Sequence, residues 1–220
     1  MILAIAATEI EMAPFAVECT ADALPCRTLV TGVGPVETAF RLTRFLCETK
    51  KQFEAVVHFG VGGAYILPEQ QIQPALMDIC FAEQEVAGDF GICLEKRMEY
   101  LDSALTGEIL YDLDKSLAAR CRTIFHQLGI SYHLGVFITV NSITGHRARG
   151  QMLQGRWNGM CENMEGAAAV RVCREFNLPS AELRCISNYV EDRDLSTWCL
   201  PEAAAKAAHT AIQLVKGLTA

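Results

Sequence analysis

Short apolar runs alternate with stretches of helical periodicity along most of this chain, and no other feature limits its possible folds so strongly. Strands are expected at Ile2–Ala7, Arg27–Thr31, Ala55–Phe59, Leu76–Ala82, Gly135–Asn141 and Ser180–Ser187. Helices are expected at Glu9–Cys19, Pro35–Thr49, Lys115–Leu128, Glu165–Phe176 and Pro201–Leu218. Such alternation argues for an α/β protein, a three-layer α/β/α sandwich around a central mixed sheet. No repeat, low-complexity tract or linker interrupts it, so residues 1–220 are expected to form one domain. The loosest regions, Pro68–Gln73 and Val86–Gly107, are expected to be loops or a strand hairpin.

Composition narrows the function. Lysine and arginine total 19 against 26 acidic residues, and no basic run exists, so neither nucleic acid nor an anionic membrane is an expected partner. The first twelve residues are apolar without a basic leader and soon turn acidic, which reads as a buried first strand rather than a signal peptide. Nothing approaches the length of a membrane span. The ten cysteines are scattered through apolar segments with no CxxC pair, as expected of reduced, buried thiols in the cytoplasm. The five histidines have no metal-ligand spacing, and no metal or cofactor is expected; His58 reads as a core residue. With 51% hydrophobic residues the chain is rich in apolar side chains, and a homodimer or higher homo-oligomer is expected to cover some of them.

In open α/β sheets, ligands sit beyond the carboxyl ends of the strands. Here those ends carry Glu9 and Glu11, the segment Gly60–Tyr65, Ser142–Gly145 and Asn188. The glycines of "TGVGPVE" (31–37) and "FGVGGAY" (59–65) suit tight turns that bring backbone N–H groups close to a ligand. Neither completes GxGxxG, because Glu37 and Tyr65 occupy the third position, and no Walker sequence exists. Thr8 and Glu11 match a capping box, and Glu165 sits where a helix dipole stabilises a carboxylate. Each therefore has a purely structural explanation beside a functional one. The small residues of "MEGAAAV" around Glu165 suggest a close approach of ligand to backbone. Arg184, inside the apolar run "AELRCIS", needs a carboxylate or a polar ligand as partner.

Taken in order, "TGVGPVETA", "VVHFGVGGAY", "NMEGAAAVRVCREFNLP" and "LRCISNYVED" resemble the nucleoside phosphorylase and nucleosidase superfamily across nearly the whole chain. The resemblance implies a nucleoside phosphorylase-like fold and a small-molecule nucleoside as substrate. It implies that Glu165 grips the ribose hydroxyls with Met164 under the sugar, that Glu11 activates a water, and that Arg184 helps hold it. Asn188 would face the purine N7 and six-position, Val61, Gly62 and Gly63 would line base and sugar, and Ser142 and Ile143 would flank the base. Ile143 stands where the family often has a stacking aromatic, and Asn188 where adenine-cleaving members carry aspartate. An asparagine amide offers both a donor and an acceptor, which suits a 6-oxopurine. For a substrate carrying a carboxylate beyond the sugar, "TGHRARG" offers Arg147 or Arg149. The resemblance implies hydrolysis of an N-glycosidic bond, with cleavage of a 6-amino nucleoside by the same chemistry as the alternative substrate reading. Phosphorolysis and non-catalytic nucleoside binding are the competing readings. The first is disfavoured because no arginine precedes the glycines of "HFGVGG", and the second because both glutamates are present.

Overall fold

The structure is a computed structural model that describes residues 1–94 and 97–220. Ten strands are found among them: β1 (Ile2–Ala6), β2 (Cys26–Val30), β3 (Ala55–Tyr65), β4 (Ile79–Ala87), β5 (Ile92–Cys93), β6 (Met98–Glu99), β7 (Leu110–Asp112), β8 (His133–Thr139), β9 (Gly159–Asn163) and β10 (Ser180–Val190). The helices are α1 (Glu9–Ala21), α2 (Pro35–Glu48), α3 (Ser103–Thr106), α4 (Lys115–Gln127), α5 (Arg147–Trp157), α6 (Gly166–Glu175) and α7 (Leu200–Thr219). The loose region around 86–107 holds the β5–β6 hairpin, and positions 95 and 96 of that region lie outside the described residues.

The central sheet is mixed, as expected. Its strands run β10-β4-β8-β9-β3-β1-β2, and β10 also pairs with β3, so β3, β10, β4, β8 and β9 close into a ring. The long strand β3 makes that closure possible. Its first half lies between parallel neighbours β1 and β10, and its end pairs antiparallel with β9. Helices α1, α4 and α7 cover one face over a core that includes Phe15, Phe59, Phe81, Phe125, Ile212 and Leu214. Helices α2 and α6 cover the other, where Leu3, Ile5, Leu42, Val56, Val172 and Cys173 meet. Burying such aliphatic and aromatic side chains contributes roughly 1.5–3 kcal/mol each relative to exposure.

Two strands that carry site residues run further than the sequence suggests, and β4 likewise ends at Ala87 instead of Ala82. β3 continues through "GVGGAY" to Tyr65, so Val61, Gly62 and Gly63 are strand residues and not a turn. β10 continues past Ser187 to Val190, so Asn188 lies within the strand and not at its end. In both cases the strand stays paired, β3 with β10 along the whole length. Among the described residues no disulfide forms, and Cys80, Cys121, Cys161, Cys173 and Cys185 are buried, where desolvation pushes their thiols up and leaves them inert. No described helix is long and apolar enough to cross a membrane.

Candidate active site

A cleft opens at the carboxyl ends of β1, β3 and β10, the end of an α/β sheet at which ligands bind. Glu11, Val61, Gly62, Gly63, Ile143, Met164, Glu165, Arg184 and Asn188 all line it. These expected residues come from five separate segments of chain. Ser142, Arg147 and Arg149 do not line it.

Glu11 is held at the start of α1. The Thr8 hydroxyl donates to its Oε2 at 2.7 Å and accepts from its backbone N–H at 3.3 Å, which is the expected capping box. The Val61 N–H donates to Oε1 at 3.0 Å. Capping and a place in the cleft are therefore compatible, since the cap uses Oε2, which accepts from both the Thr8 N–H and the Thr8 hydroxyl, and Oε1 keeps a second lone pair beside the Val61 N–H. Gly60 explains how Glu11 reaches the strand: a Cβ there would lie 2.5 Å from Glu11 Oε1 and 2.9 Å from Arg184 Nη1. Close approach, not turn geometry, also accounts for its neighbours. A Cβ on Gly62 would collide with Cys161 Sγ, and one on Gly63 would lie 3.1 Å from Asn188 Nδ2. The other glycine segment is a true turn, with Gly32 at φ 83° and Gly34 at φ 91°, values that favour glycine.

That turn delivers a backbone donor to Glu165. Gly34 N–H donates to Glu165 Oε1 at 3.0 Å, while Arg184 Nη1 donates to Oε2 at 3.3 Å. Glu165 does not cap its own helix. Asn163 does so, its Oδ1 accepting from the N–H groups of Glu165 at 2.9 Å and Gly166 at 2.8 Å. The carboxylate is thus released toward the cleft. The smallness of Gly166 has a different origin from the expected ligand approach: a Cβ there would run into Glu85 and Glu182, two buried carboxyl groups behind the cleft wall.

Arg184 is 1% exposed and finds the carboxylate partners its sequence position demands. Its Nε donates to Glu182 Oε1 at 2.9 Å, and its Nη1 also reaches the Val61 carbonyl at 3.3 Å. Burial works against its charge, but Glu182, Glu165 and Glu11 together hold its pKa above the ordinary arginine value. His58 is buried beside it, with Nε2 3.1 Å from Arg184 Nη2. His58 is a buried strand residue, as expected, and its ring belongs to this polar network.

Ser187 and Asn188 both face the cleft although they are consecutive. A β-bulge explains this, since the pairing of β10 with β3 skips Ser187 between Ile186 and Asn188. The Asn188 amide is oriented by Ser187 Oγ, which donates to its Oδ1 at 2.9 Å, and by its own Nδ2 donating to the Tyr189 carbonyl at 3.1 Å. One donor and one acceptor position remain for a ligand.

The segment after β8 is fixed from beneath. Buried Glu162 accepts from the Thr144 N–H at 2.8 Å, the Thr144 hydroxyl at 2.6 Å and the Tyr65 hydroxyl at 2.8 Å, leaving Ile143 at the cleft. Arg149 supports the same loop. It pairs with Asp89 at 3.0 Å and donates to the Ser142 carbonyl and the Thr144 hydroxyl, so its guanidinium is engaged away from the cleft. Arg147 is exposed at the first turn of α5.

The lining also holds Thr144, from the expected Ser142–Gly145 segment, and sequence reasoning missed Ala7, Val33, Glu162, Asn163, Ser187, Trp198 and Leu200. Trp198 brings the aromatic surface that Ile143 lacks. It follows a short 3₁₀ turn, Leu195–Thr197, and the next residue is tied back to the bulge by Cys199 N–H donating to the Ser187 carbonyl at 2.9 Å. Arg193 stacks over the Trp198 ring at 5.1 Å, a cation–π contact. Among the described residues no group of His, Cys, Asp and Glu is arranged to hold a metal ion.

The family model of the phosphorylase superfamily matches residues 5–220. The chain belongs to this superfamily. Among curated relatives, a futalosine hydrolase of Thermus thermophilus is 29% identical over 85% of this chain and 80% of its own. A 5'-methylthioadenosine/S-adenosylhomocysteine nucleosidase of Geobacillus thermodenitrificans is 25% identical over 90% of this chain and 80% of its own. Among solved structures, a futalosine hydrolase mutant of Helicobacter pylori superposes with a TM-score of 0.83 at 19% identity, covering 98% of each chain. That similarity establishes the fold, a nucleoside phosphorylase-like sandwich.

Proposed function

We propose that this chain, acting as one domain, is an N-glycosyl hydrolase that cleaves futalosine with water, releasing hypoxanthine and the dehypoxanthine product in menaquinone biosynthesis. The observation that carries the hydrolytic reading is the charge of the cleft. Three carboxylate residues, Glu11, Glu162 and Glu165, line it among the described residues, against one cation, Arg184, which is already paired with Glu165 and Glu182. A phosphate nucleophile would meet that negative field with no free arginine. A developing sugar cation would be stabilised by it.

In this reading Glu165 accepts from the ribose hydroxyls over Met164, and Glu11 takes the proton of a water that Arg184 helps to hold. Asn188 donates its amide N–H to O6 of the base and accepts at Oδ1 from the N7–H that forms when a solvent water protonates the departing base, since a neutral amide has no proton to give. The proton taken by Glu11 returns to solvent. The names of the curated futalosine hydrolases support the substrate. The amide at Asn188 supports the 6-oxopurine over the 6-amino compounds of the other relatives.

The carboxylate of futalosine beyond the sugar would meet the Trp198–Arg193 rim, because Arg149 is engaged by Asp89 and neither Arg147 nor Arg149 lines the cleft. Exposed Val36, Phe40 and Phe90 support a homo-oligomer, and the unpaired thiols, including the exposed Cys47 and Cys93, support the cytoplasm. No nucleic acid, membrane, metal or cofactor partner enters this proposal. The test is base release from futalosine and inosine with and without phosphate. Hypoxanthine should appear at the same rate in both conditions, and release that requires phosphate would overturn the proposal.

A further inference from the structure

Behind the cleft wall, β4 and β10 bring two carboxyl groups together in the interior. Glu85 is fully buried and Glu182 is 1% exposed. Both crowd the position a side chain would occupy on Gly166: a Cβ there would collide with Glu85 Oε1 and lie 2.6 Å from Glu182 Oε2. Glu182 Oε1 is well satisfied by Arg184, with Nε and Nη2 both at 2.9 Å, and lies 3.5 Å from His58 Nδ1. Its other oxygen, Oε2, has no hydrogen-bond partner among the described residues. Leaving a buried carboxylate oxygen without a donor is unfavourable, and the group crowding that same space is the Glu85 carboxyl.

We infer that Glu85 and Glu182 share one proton, held on Glu85 and directed at Glu182 Oε2, and that this acid–carboxylate pair positions Glu165. Two ionised carboxylates cannot coexist so close in the interior. Burial and then the negative charge of Glu182 push Glu85 well above the usual carboxylate range, whereas His58 and Arg184 hold Glu182 below it despite burial. Each partner then reaches Glu165 by its own route. Glu85 Oε2 accepts from Thr139 Oγ1 at 2.7 Å and its Oε1 from Asn163 Nδ2 at 2.6 Å, and Asn163 in turn caps the backbone of Glu165. Glu182 fixes Arg184, whose Nη1 reaches the Glu165 carboxylate. Neither group of the pair lines the cleft; both act through another residue. The role assigned to the pair rests on Glu165 as the ribose-holding carboxylate, whereas the shared proton does not.

Infrared difference spectroscopy of the whole protein tests the proton without any substrate. The parent should show a carboxylic-acid carbonyl band at neutral pH that shifts in heavy water and disappears in Glu85→Gln. Absence of that band, or its persistence in Glu85→Gln, would overturn the shared proton, whatever the substrate proves to be. Kinetics test the positioning. Glu85→Ala should lower kcat/KM for futalosine by about a hundredfold, the scale of an ångström's misplacement of a working group. Glu85→Gln should restore part of that loss, because the amide NH2 can donate to Glu182 Oε2 while its carbonyl accepts from Thr139, with only the Asn163 contact given up. If Glu85→Gln is as impaired as Glu85→Ala while its thermal midpoint matches the parent's, the neutral-donor role is wrong.

Discussion

Glu11 and Glu165 face the same cleft from the starts of two helices, yet they are placed by opposite means. Glu11 is set by its own turn, in a capping box with Thr8, and only the Val61 N–H reaches it from elsewhere. Glu165 takes no part in capping its helix, and its two oxygens are held by Gly34 and by Arg184, both distant in sequence. A carboxylate fixed locally can be exchanged for an amide with little disturbance of the fold. One fixed by tertiary partners carries the geometry of several segments with it.

Substitutions at these two residues are the strongest way to break the contrast. Glu165→Gln should impair both KM and kcat, and the combined loss in kcat/KM should exceed about 10⁴-fold, the upper end for a single acid–base group. It should also lower the thermal midpoint, because Arg184 loses one of its buried charge partners. An unchanged KM would remove Glu165 from the ribose. Glu11→Gln should lower kcat by about 10²–10⁴-fold with KM nearly unchanged. Its thermal midpoint should fall less than that of Glu165→Gln, since glutamine also completes a capping box and only the Val61 N–H loses its acceptor. Full activity in Glu11→Gln would reduce this residue to a cap.

Two smaller effects sharpen the comparison at the ends of the substrate. Asn188→Asp should cut the preference for futalosine over its 6-amino counterpart by roughly ten- to a hundredfold, the worth of about 1–3 kcal/mol of mismatched polar groups. Equal cleavage of both compounds by the parent would defeat the 6-oxopurine assignment and leave N-glycosyl hydrolysis standing. Arg193→Ala should raise KM for futalosine about three- to fivefold, the scale of an exposed charge contact, and leave KM for inosine unchanged. A rise for both substrates would place Arg193 in structural support of Trp198 instead.

The sequence made the α/β alternation and most of the cleft legible, and the failures have physical causes. β9 and α5 carry little signal: "GMCEN" is five residues with a polar end, and "RARGQMLQGRW" has two glycines and no apolar stripe. The two glycine segments look alike as text but differ in cause. "TGVGPVE" needs glycine for its positive φ angles, whereas "FGVGGAY" needs it because Glu11, Arg184, Cys161 and Asn188 press against an extended strand. Only the neighbours reveal which applies. Asn163 carried a readable signal, being a capping residue two positions before a glutamate that faces inward. The Ser187 bulge and the return of Trp198 to the cleft carried none, because both depend on pairing between segments far apart in the chain.

Water as the nucleophile, held between Glu11 and Arg184, is the central claim, and the fate of the attacking oxygen tests it most directly. Futalosine should be turned over in heavy-oxygen water with phosphate present, and the sugar product examined by mass spectrometry. The account predicts one heavy oxygen atom on the anomeric carbon of the freed sugar and no phosphate ester. A sugar phosphate, or a product without the label, would contradict it.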